Sequence, residues 1–588
     1  MMQISFTKAL PLFVITLTFI YLILLIASEK EHKGPRTEIR KLHKNLMLAA
    51  LILTMIAFAL LHIPDYKLTI YYQVIVTLAY FTLLFCMAIP KNIPNNYSKY
   101  FLFTTILIHL LIVYNPPYGL YFGEWTRTLT KTIIDSHYEI VPYRFTYNPF
   151  PFHVGLWVAF SEITHISIIL KISKFFPPLI TLIVIDLVLY VLARRLTGSW
   201  LAGILAILML ASTPPANFLD HNAKLAGLML VLIMTLALIK AYEGQGTLSN
   251  GVIAVLAYAS GLFYHATAGL GMFVIAGILV FGLIMRILTK EYIWRRPYES
   301  KIMQIFLIII IAITLTKWGW GGGAEKIVPS LYRNFLAMIE WRQPSEAGAP
   351  APLYERMGVN PIQAYPWAVP VAITSALLLY ILLRRKSLCN PLIPALAVGG
   401  LTFLLLGFSS AYFRTGFAAS MYPGYGPLML PSAVVLCKLL NSRRLIISIL
   451  VVMLLTASAT IALKDPMNIP GGWIRFKGFV IAGEEHYILT SLIHNFSTPE
   501  YKRYLTRELV PTLGYLDPYA QAKGIIYEPT DPKYQKDYQI IQGKLEFNAI
   551  YVFRLKQIQQ HFSSGSLGNT RVNVFLNNGK YIGLIKVE

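Results

Sequence analysis

Phe152-His153-Val154-Gly155-Leu156-Trp157-Val158-Ala159-Phe160-Ser161-Glu162-Ile163-Thr164-His165-Ile166-Ser167-Ile168-Ile169-Leu170 decides how the rest of this chain is threaded. Its length and apolar content are those of a membrane span. If it crossed, the Arg194-Arg195 pair would fall outside and the pattern of the basic clusters downstream would invert. Its interior, however, carries His153, Ser161, Glu162, Thr164 and His165, which is too polar for a lipid-facing span. The sequence therefore predicts an interfacial or re-entrant helix inside a large outward loop, residues 115–174.

Outward from that stretch, apolar runs recur from one end of the chain to the other. Of the 588 residues, 56% are hydrophobic and only 13% are charged, with a mean hydropathy of +0.57. A soluble surface would need far more charge. Spans are expected at 10–27, 46–63, 68–89, 100–114, 175–193, 200–214, 223–240, 251–263, 266–288, 302–318, 366–383, 392–410, 424–440 and 445–463. The first has no small-residue cleavage site behind it and reads as retained. The cations of the loop Lys30 to Lys44 define a cytoplasmic side. With about 14 spans and no crossing at 152–170, Lys91, Lys99, Arg194-Arg195, Arg295-Arg296, Arg384 to Lys386 and Arg443-Arg444 all share it. That alternation explains the net charge of +23 without nucleic acid. Cys86, Cys389 and Cys437 have neither metal-site nor disulfide-framework spacing.

The expected fold is an α-helical polytopic membrane domain, residues 1–464, followed by an extracytoplasmic α/β or β-rich domain, residues 465–588. A second outward loop, 318–365, contains Gly321-Gly322-Gly323 and a Pro/Ala-rich stretch, Pro344 to Pro352. In the tail, Phe547–Leu555 and Val572–Val587 read as strands, with a hairpin turn at Asn577-Asn578-Gly579. Asn495-Phe496-Ser497 is a glycosylation sequon on the outward side.

This threading gathers polar residues on the outer face. Glu124 is a candidate general base, because a shielded carboxylate accepts a proton from an acceptor hydroxyl or amide. It also suits the N-terminus of a helix beginning at Trp125. Asp220-His221-Asn222 offers oxygen and nitrogen ligands for a divalent cation, magnesium or manganese, with Glu124 as a further ligand. Asp220 or Asn222 equally suits a helix cap. Arg414 is the candidate phosphate-binding cation, since guanidinium forms a bidentate fork with phosphate oxygens. An interfacial Arg snorkelling to headgroups is the alternative. His265, at a span boundary, is a candidate ligand or a hydrogen-bonded structural residue. Glu325 and Glu340 are candidate site carboxylates or ordinary solvated charges. Within the spans, Asp186 is the clearest ionisable residue.

The order of these features resembles the GT-C superfamily of polytopic glycosyltransferases, and within it the catalytic subunits of oligosaccharyltransferases and their archaeal relatives. The matching features are an acidic residue early in the first outward loop (Glu124), the proline-led helix after Tyr147-Asn148-Pro149-Phe150-Pro151-Phe152, and the basic turn Ala193-Arg194-Arg195-Leu196-Thr197-Gly198. After them come Ala211-Ser212-Thr213-Pro214-Pro215 ahead of Asp220, and Arg414 before Tyr422-Pro423. The likeness implies a glycosyl transfer from a polyprenyl or dolichyl phosphate, or pyrophosphate, to an extracytoplasmic protein or glycan acceptor, with inversion at the sugar. By that likeness Glu124 and Asp220 would be catalytic, serving the acceptor and a metal, and Arg414 would face the lipid phosphate; His265, from its own place at a span boundary, is the second candidate for that phosphate. Two features depart from the family's pattern. A single acidic residue stands where the family has two, and only Gly471-Gly472-Trp473 echoes its Trp-Trp-Asp motif. A lipid-glycan flippase or transporter and a glycan polymerase are the competing readings.

Overall fold

The computed structural model describes residues 40–61, 69–89, 98–113, 158–159, 162–165, 171–213, 222–242, 245–264, 269–277, 280, 301–320, 329, 332, 335–336, 339–340, 365–384, 392–412, 425–441, 445–464 and the strand segments given below. The span expected at 10–27 lies outside them. The helices are α1 (Arg40–Leu61), α2 (Thr69–Ala88), α3 (Ser98–Val113), α4 (Lys171–Thr197), α5 (Trp200–Ala211) and α6 (Asn222–Tyr242). They continue as α7 (Thr247–Tyr264), α8 (Lys301–Trp320), α9 (Tyr365–Arg384), α10 (Leu392–Tyr412), α11 (Tyr425–Asn441) and α12 (Leu445–Lys464). A further helical stretch covers 269–277. Each coincides with an expected span, because an unbroken apolar run can satisfy its backbone in lipid only as a helix.

Apolar side chains line both the interior and the outer faces. On α1, Ala50, Thr54 and Ala57 are buried while Leu48, Ile52, Met55 and Ile56 are exposed. Exposed apolar stripes of this kind are the mark of a lipid-facing surface, and the chain is a membrane protein. Among the described residues, three helices are long and apolar enough to cross a membrane: Tyr71–Ala88, Thr247–Tyr264 and Leu445–Leu463. The span expected at 200–214 is shorter than anticipated. Its helix, α5, has 12 residues and is about 18 Å long, against about 30 Å of hydrocarbon. Ser212 and Thr213 end it by donating their hydroxyls to the carbonyls of Met209 and Leu210, at 2.9 and 2.6 Å, ahead of Pro214-Pro215.

Side-chain contacts fix the direction of the helices. Cys86 Sγ points at the His43 carbonyl (3.6 Å), so α1 and α2 are antiparallel. Tyr72, in the first turn of α2, donates to the Leu111 carbonyl near the end of α3 (2.6 Å), and Gln73 donates to Leu463 at the end of α12 (3.1 Å). Phe101 and Trp200, in the first turns of α3 and α5, have ring centroids 5.5 Å apart. Gly198, at φ 72°, turns the chain between α4 and α5, and Gly203 packs under Tyr190. Hence α3 and α5 run together and α4 runs against both. The end of α3 and the start of α4 therefore lie at one end of the bundle. Around Phe152–Leu170 the described residues 158–159 and 162–164 are helical, with exposed Glu162, Ile163 and Thr164. His165 follows at φ 52°, before α4 begins at Lys171.

The same logic orients the second half. Cys437, late in α11, contacts Ser199 beside the basic turn (3.6 Å), while Gly426, early in α11, packs on Leu228, early in α6. Gly251 meets Phe306, Tyr258 bonds Thr314 (2.8 Å) and Lys317 sits over Phe263 (4.9 Å). Three contacts at nearly constant offset make α7 and α8 parallel. The 269–277 stretch crosses α10 through Gly277 and Gly399, with Phe273 against Phe403 at 5.2 Å, in antiparallel sense. Consequently α3, α5, α7, α8, α10 and α12 finish at one end of the bundle. The Arg194-Arg195 turn lies at the other.

In the tail, β1 (Lys502–Leu505), β2 (Ile525–Ile526), β3 (Ala549–Arg554), β4 (Val572–Asn577) and β5 (Tyr581–Lys586) form a mixed sheet of order β2-β1-β3-β5-β4. β1 is parallel to β2 and β3, and β5 is antiparallel to β3 and β4. The β4–β5 pair is the expected hairpin, irregular between Val574 and Leu576.

Candidate active site

The helix ends that flank the sequence-selected residues can be compared directly. Glu124 follows the end of α3. Asp220 and His221 immediately precede Asn222, the first residue of α6. His265 follows Tyr264, the last residue of α7, and Arg414 stands two residues beyond Tyr412, the end of α10. Glu124, Asp220, His221, His265, Arg414 and Glu325 themselves lie outside the described residues, so the elements that carry them are on view and their side chains are not. Glu340 is described: it is exposed, and its backbone N–H donates to the Leu336 carbonyl at 2.8 Å.

One end of the bundle is thus where α3, α5, α7, α8 and α10 finish, and it is not flat. Ser458, six residues before the end of α12, donates to the Ser212 carbonyl at 3.3 Å. At 1.5 Å per residue, α5 therefore stops about 9 Å below the end of α12. Ser212 and Thr213 are fully buried there. The connector that leads to Asp220 starts inside the bundle, whereas α3, α7 and α10 feed the others from around it. Tyr80, buried on α2, donates to the Leu208 carbonyl (2.9 Å) beside this recessed end.

No protein-family model matches the chain, and no curated protein matches it. Solved structures do. The chain is similar to ArnT from Cupriavidus metallidurans bound to undecaprenyl phosphate, with a TM-score of 0.48 and 12% identity over 84% of this chain and 98% of that one. The apo state of the same protein gives 0.47 and 13%, over 83% and 98%. Arabinosyltransferase EmbB from Mycobacterium smegmatis gives 0.32 and 14%, over 63% of this chain and 34% of that one. At these scores the functional argument rests on the chain's own residues.

A pair that sequence reasoning missed lies just below the same end. His109 Nδ1 is 2.8 and 3.0 Å from the two carboxylate oxygens of Asp186, and both residues are buried. Asp186 stands out in the sequence as an ionisable residue within a span, but nothing there names its partner 77 residues away. The antiparallel run of α3 and α4 supplies it. An unpaired charge at such depth costs about 2.5–3.5 kcal/mol on insertion scales, so the pairing is what makes Asp186 tolerable.

The donor set suits a hard divalent cation in chemical type, since two carboxylates and an imidazole match magnesium or manganese better than softer ions. Among the described residues there is no group of three or more His, Cys, Asp or Glu side chains able to hold a metal.

Proposed function

We propose that this protein is a membrane glycosyltransferase that moves a sugar from a polyprenyl or dolichyl phosphate, or pyrophosphate, to an acceptor outside the cytoplasm. One observation supports the reading: α3, α5, α7 and α10, the helices after which Glu124, Asp220, His265 and Arg414 follow in the chain, all finish at one end of the bundle. By the positive-inside rule the Arg194-Arg195 turn at the opposite end would face the cytoplasm and the loop end would be extracytoplasmic, in a multi-pass arrangement of about 14 spans. A long-chain lipid phosphate would then keep its tail against the apolar outer helices and its head at the recess. The residues 465–588 would form a domain on the same face, because α12 finishes there.

In this reading the acceptor attacks the anomeric carbon while Glu124 takes its proton, and the sugar–phosphate bond breaks. Arg414, with His265, stabilises charge on the departing phosphate. Direct displacement inverts the anomeric centre. Asp220, His221 and Glu124 would hold a divalent cation, whose charge favours phosphate departure.

Purified protein incubated with cellular lipid-linked sugars should yield a glycosylated acceptor identifiable by mass spectrometry. Glu124→Gln or Asp220→Ala should abolish transfer while leaving the protein folded. Unaltered transfer in both would remove the proposed site. The buried His109–Asp186 pair favours a second reading, a lipid-glycan flippase, because ionisable groups inside spans mark transport pathways. That reading requires translocation with no new glycosidic bond.

A further inference from the structure

We infer that Lys317 binds the phosphate of the lipid-linked donor, its ammonium turned into the bundle between α7 and α8 at the end where both helices finish. The inference deepens the proposed function and rests on its lipid-phosphate donor. The side chains of α8 divide into two stripes. Phe306, Ile310, Thr314 and Lys317 are buried, whereas Ile305, Ile308, Ile309, Ile311 and Leu315 are exposed. The spacing of the buried four puts them on one face of the helix, and that face meets α7. Phe306 packs on Gly251, Thr314 bonds Tyr258 at 2.8 Å, and the Lys317 ammonium lies 4.9 Å from the centre of the Phe263 ring. A lysine near a helix end in lipid ordinarily stands on the outer face and reaches up to the headgroups. Lys317 is instead on the inner stripe and only 7% exposed. It precedes Trp320, the last residue of α8, by about 4.5 Å of helix, and Phe263 is next to Tyr264, the last residue of α7. Ionisable groups that face the inside of a membrane bundle mark substrate and ion paths. The Phe263 face offsets part of the ammonium's charge, and a phosphate oxygen offsets more through charge-assisted hydrogen bonds. An ammonium is a compact charge on a flexible stem, so it can follow a phosphate without the fixed fork of a guanidinium.

The test separates phosphate recognition from packing. Full-length protein in detergent micelles is titrated with solanesyl phosphate, and in parallel with solanesol, by quenching of its tryptophan fluorescence. Wild type should prefer the phosphate to the alcohol. Lys317→Met keeps an unbranched stem over Phe263 and removes the charge. It should weaken phosphate binding by about tenfold to a hundredfold, the scale of a hydrogen bond to an ionised group, and leave the alcohol unchanged. Lys317→Arg, which keeps the charge, should recover part of the loss. Wild-type phosphate affinity in Lys317→Met would overturn the inference. Equal losses for phosphate and alcohol would overturn it too, because that is what a packing role produces. Burying a methionine costs less than burying a cation, so Lys317→Met should fold. If it does not, Lys317→Gln takes its place and is read by the same outcomes. Failure of the donor reading looks different. Wild type would then bind phosphate and alcohol alike, which removes the donor and the role of Lys317 together. A wild type that prefers the phosphate, beside an unaltered Lys317→Met, rejects Lys317 alone and leaves the donor reading in place.

Discussion

Gly399→Ala tests a close backbone-to-backbone approach of two helices in the described bundle. An added Cβ at Gly399 would lie 2.7 Å from Val274 Cα and 2.8 Å from the Phe273 carbonyl oxygen. Ordinary contact begins near 3.4 Å, and the obstruction is backbone, so no side-chain rotation relieves it. α10 and the 269–277 stretch must part by about 0.7 Å, which is overpacking of the kind that costs about 1–3 kcal/mol. Alanine returns up to about 1 kcal/mol of helix propensity. Because the obstruction is backbone, the upper part of that range, about 2–3 kcal/mol, applies, and the net loss should be about 1–2 kcal/mol, read as a lower midpoint in detergent-denaturant titration of the purified protein. Gly277 forms the other half of the crossing, where a Cβ would meet Gly399 N at 2.5 Å. Once the helices have parted, a second methyl adds little, so G277A/G399A should lose less than the two single losses together. These elements lead to His265 and Arg414, so the same variant should also slow transfer. An unchanged midpoint in Gly399→Ala, or strictly additive losses, would refute this account of the crossing.

Other outcomes follow from single contacts. Gly198→Ala meets nothing within 4 Å of its new Cβ, but φ is 72°, so the cost is conformational, about 1–2 kcal/mol, measured in the same titration. Gly198→Asn, which tolerates that region, should lose less. Arg414→Ala should raise KM for the lipid-linked donor more than tenfold, and Arg414→Lys should recover only part of it, because a lysine cannot form the bidentate fork. Chelation should abolish transfer and added magnesium or manganese restore it; full activity after exhaustive chelation would remove the cation from the proposed site.

Much of this architecture is legible in the sequence, for a simple reason. In lipid, helix formation is dictated locally, so apolar runs and their basic turns locate α1 to α12 within a few residues. Asn577-Asn578-Gly579 likewise marks the β4–β5 hairpin. The candidate residues Glu124, Asp220, His265 and Arg414 lie outside the described residues, so only the helix ends before them can be set against the sequence. α5 ends within the bounds expected for its span. Its apolar run continues to Ala211, but two side-chain hydroxyls and a Pro-Pro pair close the helix short of the end of its neighbours.

The chain's own letters determined where it becomes helical, which runs are apolar and which turns are basic, since each follows from backbone satisfaction and hydropathy over a few consecutive residues. Tertiary structure decided the rest. The same-end alignment of α3, α7 and α10, the recess above α5, the Gly277–Gly399 crossing and the His109–Asp186 pair all join residues far apart in sequence. Helices apolar on nearly every face do not encode which neighbour they choose, so only packing of the whole bundle could select those partners.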